Sequence, residues 1–128
     1  MKIYSFEEAC QRLGLDPDNC LPDVSRMPVR HQPGAIADAK ICYIAEASRA
    51  KDPNWNDRDE QKWGPWFDME MDKNNPTGFR FFASGYGLVI TAVTGGSLHC
   101  YESKEDSDFH AVQHIELYRH MMVLPPKE

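Results

Sequence analysis

Apolar positions in this chain recur with a helical period towards its two ends and with a period of two in its middle. Ser5 followed by Glu8 reads as a capping box: the Ser5 hydroxyl accepts from the Glu8 amide while the Glu8 carboxylate reaches back to the Ser5 N–H. A short helix is expected from Phe6 to about Leu13, with Phe6, Ala9, Cys10 and Leu13 as its apolar stripe and Gly14 as a left-handed stop. Leu15 to His31 carries Pro17, Pro22 and Pro28 and reads as an ordered connector. From about Pro33 to Lys51 the helical period returns, with a start as early as Pro28 as the alternative. Ile36, Ala39, Tyr43 and Ala47 line one stripe; Ala37, Ile41, Ile44 and Ala45 line the adjoining one. Two adjoining stripes predict a helix buried over more than half its circumference, the central one of the fold.

In Trp66-Phe-Asp-Met-Glu-Met-Asp72 the period becomes two. Phe67, Met69 and Met71 point one way, and Trp66, Asp68, Glu70 and Asp72 the other, which predicts a half-buried strand. Asn74 to Gly78 predicts a turn and Phe79 to Ser84 a second strand. Gly85-Tyr-Gly87 predicts another turn into a third strand, Leu88 to Val93, and Thr94-Gly-Gly96 leads into a fourth, Leu98 to Glu102. Ser103 is an N-cap for a last helix running to about Met122, with Glu105 and Asp106 against its dipole and Val112, Ile115, Tyr118 and Met122 as its core face. The expectation is a single α+β domain, 1–128. It is a four-stranded antiparallel meander packed on one face by helices, in the order α-α-β-β-β-β-α.

Length and charge narrow this picture. A chain of 128 residues is one domain that can bury a core without metal or disulfide staples. A net charge of −6 argues against a nucleic-acid partner, whose phosphates need a basic face. No apolar run reaches the length of a membrane span or resembles a signal peptide, so no membrane contact and a cytoplasmic setting are expected. Cys10, Cys20, Cys42 and Cys100 form no C-x-x-C pair and are expected to be reduced thiols, Cys42 as a small core hydrophobe.

The candidate chemistry gathers around the tryptophans, all three of which lie between positions 55 and 66. Their rings alternate with Pro, Asn, Asp and Arg, a mixture that predicts irregular backbone at a surface, and Trp is enriched where proteins grip partners. Trp55, Arg58, Trp63 and Trp66 are therefore the candidate partner- or ligand-binding residues. The structural alternative has Trp63 and Trp66 packing over the sheet edge or the central helix, with Trp55 the most exposed of the three.

Asp106, His110 and His114 share one helix face at i+4 spacing. Two imidazoles one turn apart have metal-ligand spacing, yet no Glu follows the first His and no third ligand is apparent. Leu117 and Met121 continue that stripe, which reads better as a solvated, packing or oligomer surface. No metal and no cofactor are assigned, and His110 and His114 stay as the candidates for one. Asp68, Glu70 and Asp72 on one strand face could serve glycoside hydrolysis or a hard cation, with a solvated outer face as the plainer reading. The glycines lack phosphate-loop spacing, and no Ser or Cys carries a nucleophile motif, so no catalytic residue is assigned.

The order Leu21-Pro-Asp-Val-Ser25, Pro28, His31-Gln32, Ala39-Lys-Ile41, Ile44-Ala-Glu-Ala47, Pro53-Asn-Trp55 and Lys62-Trp-x-Pro-Trp-Phe67 resembles a family of short hypothetical proteins from gut Bacteroidales and their phages or prophages. Gly96-Ser97 and Leu117-Tyr118 match its later landmarks. Trp63-Gly64 stands where that family usually has two tyrosines. The end of the chain diverges at His99 and from His110 to His114, which argues against a metal-based activity common to the family. The resemblance brings no catalytic residue and implies a mobile-element setting.

These readings converge on a non-enzymatic interaction protein of phage or mobile-element origin. It would be a virion accessory component or a binder of a host factor, homo-oligomeric, acting through its aromatic loop in the host cytoplasm or the virion. The alternative is a small-molecule protein, binding a nucleotide or sugar or hydrolysing it, with Trp stacking beside carboxylates. A deep pocket lined by Trp and convergent carboxylates would favour that alternative, and a flat face would count against it.

Overall fold

A computed structural model of the chain describes residues 1–54, 56–57, 59–87 and 99–126. The helices at the start form where the local signals place them. Helix α1 spans Phe6–Leu13, and the Ser5 Oγ accepts from the Glu8 N–H at 3.1 Å. The Glu8 carboxylate accepts from Tyr4 N–H, at 2.9 Å, and not from Ser5 as the capping box predicted. Gly14 closes the helix at φ +71°, where a side chain would be strained, and Leu15 N–H donates to the Cys10 carbonyl.

A 3-10 turn, Val29–His31, leads into helix α2, Gln32–Ser48. Its buried residues include Ala37, Ile41, Ile44 and Ala45, the second predicted stripe, and Ala47 from the first. Burying a side chain such as Ile41 or Ile44 is worth about 1.5–3 kcal/mol, so α2 organises the core. Ile44 and Ala47 pack with Ile3 and Ala9 under α1, while Ile41 packs with Phe79 and Tyr118.

The predicted four-stranded meander is not what forms. Among the described residues the sheet has two antiparallel strands, β1 (Lys62–Asp68) and β2 (Arg80–Gly87), so the fold is α+β with a small open sheet. β1 begins four residues before its predicted start and ends at Asp68 because the following segment folds on itself. Buried Asn75 donates from Nδ2 to the carbonyls of Asp68 and Glu70, both at 2.9 Å, and Asp72 pairs with Asn75. β2 runs straight through Gly85, which faces Gly64 in the register and does not turn. The predicted third strand lies outside the described residues. Of the described residues of the predicted fourth, 99–102, Tyr101 alone makes one bridge, to Trp63. The chain leaves the sheet there because the Cys100 carbonyl accepts from Arg49 and Ser103 already caps the next helix.

The predicted last helix is two, α3 (Lys104–Gln113) and α4 (Ile115–Met122), broken at His114. The break lets α3 pack on the hairpin and α4 on α2. The close approach of α4 depends on Gly34, where a Cβ would lie 3.1 Å from the His120 carbonyl. Half of the predicted core face holds: Tyr118 is buried and Ile115 packs against the core, but Val112 and Met122 are exposed, and Ser107, His110, Ala111 and His114 are buried instead. Among the described residues no helix is long and apolar enough to cross a membrane.

Candidate functional site

Of the four predicted contact residues, Trp55 and Arg58 lie outside the described residues. Trp63 and Trp66 both stand on β1, but an odd separation on a strand sends them to opposite faces. Trp63 is structural. Its main chain pairs with Tyr101 in both directions, at 2.9 and 3.1 Å, and its ring lies 4.9 Å from that of Tyr86. Trp66 is 62 % exposed, and its indole lies over Gly85, where an added Cβ would be 2.8 Å from the ring. Glycine at 85 thus forms a floor on which the indole rests as a diagonal cross-strand neighbour. Phe82 and Tyr86 on β2, with Met69 and Met71 just beyond β1, are also exposed. The hairpin therefore packs one side through Phe67, Phe79 and Tyr118 and offers aromatic surface elsewhere.

His110 and His114 are not a surface pair. His110 Nε2 accepts from the Ile3 N–H at 3.0 Å and its Nδ1–H donates to the Asp106 carbonyl at 2.6 Å, which fixes a neutral tautomer. His114 Nε2–H donates to the Ile3 carbonyl at 2.8 Å. The two rings clamp one residue's main chain from both sides, with His110 stacked on Tyr101 at 4.9 Å. Burial pushes His110 down from 6.5 to about 4 and lowers His114 as well. A metal would have to displace these bonds, so the geometry gives the pair a structural role.

The predicted row of carboxylates also dissolves. Asp68 pairs with Arg80 at 3.0 Å, Asp72 Oδ1 accepts from the amides of Asn74 and Asn75, and Glu70 is exposed beyond the strand. A cleft of about 460 Å³ opens between residues 49–53, 60–62 and 101–102. Two of its acids build the loop, Glu60 accepting from Asn54 N–H and Glu102 Oε1 from the amides of Ala50 and Lys51, while the third, Asp52, pairs with Arg49 at 3.5 Å. Lys62 Nζ donates to the carbonyls of Asp57 and Glu60, both at 3.1 Å. Among its described lining residues there is Tyr101 but no tryptophan.

One constellation was missed by sequence reasoning. Asp38 and Cys42, one turn apart on α2, meet His99, and one ligand atom from each lies within 4.8 Å of the other two. The Asp-x-x-x-Cys spacing on a helix was readable; the arrival of His99 was not. Burial, then the Asp38 carboxylate, pushes the Cys42 thiol up to about 11, the opposite of what an activated nucleophile requires. All four cysteines are free thiols.

Comparison with family models, with curated proteins and with solved structures returned no match for this chain.

Proposed function

We propose that this chain is a non-enzymatic interaction protein whose contact surface is the outer face of the β1–β2 hairpin. The observation that carries the reading is Trp66, an indole largely in solvent yet held in place by Gly85 beneath it. An aromatic already ordered before binding loses little further conformational freedom, and such residues dominate interface energies. Phe82, Met69 and Met71 add exposed apolar surface elsewhere on the hairpin and just beyond it, while Tyr86, beside Trp63, lies on the face away from Trp66. His110 and His114 are bonded to main chain and Asp68 is paired with Arg80, so among the described residues the two sets from which the rival hydrolase reading started are already engaged. Small-molecule binding in the cleft near Tyr101 is the second reading, favoured by its volume alone.

The resemblance to phage and prophage proteins supplies the setting: a virion accessory component or a binder of a host factor, in the host cytoplasm or the particle. A second copy of the chain is the simplest partner to measure. Sedimentation velocity of the wild type is expected to show self-association, and immobilised protein is expected to capture a partner from host-cell lysate. Trp66→Ala is expected to lower both while the melting temperature stays nearly unchanged. Association that persists in Trp66→Ala, or wild-type protein that neither self-associates nor captures anything, defeats the reading.

A further inference from the structure

Asp38 and Cys42 leave α2 from one face, at the margin of its buried side. His99 reaches them from a segment whose next two residues are fixed: the Cys100 carbonyl accepts from Arg49 Nη1 at 3.0 Å, and Tyr101 exchanges main-chain bonds with Trp63. His99 Nε2 is closed to solvent and lies 2.8 Å from Asp38 Oδ1, but outside hydrogen-bonding alignment. Among the described residues it has no hydrogen-bond partner. A buried ring nitrogen in that state costs stability unless something else satisfies it.

We infer that Asp38, Cys42 and His99 form a binding site for a zinc-type divalent cation. The donors are a carboxylate oxygen, a thiolate sulfur and an imidazole nitrogen, a mixture that suits Zn²⁺, whereas Mg²⁺ and Ca²⁺ take oxygen shells. Tetrahedral zinc holds such donors roughly 3.3–3.7 Å apart. Seating it means opening the Asp38–His99 contact by about half an ångström, a shift within side-chain rotation. Carboxylate and thiolate together neutralise the dication, and its binding releases the Cys42 proton to solvent. Three protein donors leave a fourth position for water, on the side where Asp38 is half exposed. A bound ion ties residue 99 to the central helix, and so stabilises the folded chain by mass action.

Cobalt reports the ligands directly. Apo protein titrated with Co²⁺ is expected to bind one equivalent, with the near-ultraviolet charge-transfer band of a Co–thiolate bond and the intense visible bands of four-coordinate cobalt. Zn²⁺ is expected to bleach both and to raise the melting temperature. Cys42→Ser removes the thiolate band, and His99→Ala and Asp38→Ala each weaken binding by about tenfold or more. Cys20→Ala leaves the spectrum unchanged. Circular dichroism establishes that each variant is folded. If Cys42→Ser fails that check, His99→Ala and Asp38→Ala carry the test through affinity. A wild-type titration without a thiolate band overturns the site, as does a band that survives in folded Cys42→Ser or undiminished affinity in folded His99→Ala.

Discussion

On the helical side of the molecule, His110 and His114 are buried and bonded to main chain, whereas on the hairpin side Trp66 keeps most of its surface in water. Residue type alone predicts the reverse placement for both. A polar side chain goes inside when a partner waits there, and Ile3 supplies that partner as an unpaired N–H and C=O. An indole stays outside when the sheet beneath it is built to hold it, and Gly85 does this for Trp66. The contrast separates structural chemistry from surface available for contact.

The largest effect expected from this contrast is at His110. His110→Phe keeps a ring against Tyr101 but leaves the Ile3 N–H buried without its acceptor. A loss of about 2–3 kcal/mol in urea unfolding is expected, at the upper end of the range for an orphaned buried donor. A change under about 0.5 kcal/mol would put His110 among ordinary surface substitutions and remove one side of the comparison.

Acid tests the same histidines without mutation. Their folded pKa values lie below the ordinary 6.5, His110 at about 4, so the folded protein refuses protons that the unfolded chain accepts. Stability from this source is complete above about pH 6.5 and falls as the pH drops towards 4, by at most about 1.4 kcal/mol per unit for each histidine. Denaturation midpoints measured from pH 7.5 to 4.5 are expected to fall, and less steeply in His110→Phe. Equal slopes in the two proteins would mean that His110 titrates normally.

These two regions also differ in how far the sequence foretold them. Helices α1 and α2 were legible because their signals are local: the Ser5 cap, the Gly14 stop and apolar spacing within one segment. The face of α3 was not, because His110 is satisfied by Ile3, more than a hundred positions away, and the apolar Val112 drew the face to the wrong side. Gly85 resembled a turn residue because nothing in its neighbourhood announces a cross-strand indole. Asn75 resembled a turn residue too, while its side chain sets where β1 ends. For the tryptophans, the period of two reaches back only to Trp66, so it does not foretell that β1 starts at Lys62 and sends Trp63 and Trp66 to opposite faces. His99 reaches the site through the tertiary path of the chain, which no spacing along it encodes.

The smallest effect on stability is expected where the effect on association is largest. Trp66→Ala removes an indole whose outer face is already hydrated, and with it the contact to Gly85. That contact resembles other cross-strand pairs, each worth about 0.2–1 kcal/mol, so unfolding should shift by no more than that. Gly85→Ala provides the complementary perturbation: the new Cβ meets the ring at 2.8 Å and must move it, while the exposed surface is retained. Association that falls in both variants assigns binding to the placement of the indole; association lost only in Trp66→Ala assigns it to apolar area. If Trp66→Ala instead costs more than about 2 kcal/mol, the ring is holding the hairpin together, and the hairpin belongs with the clamped histidines as structure.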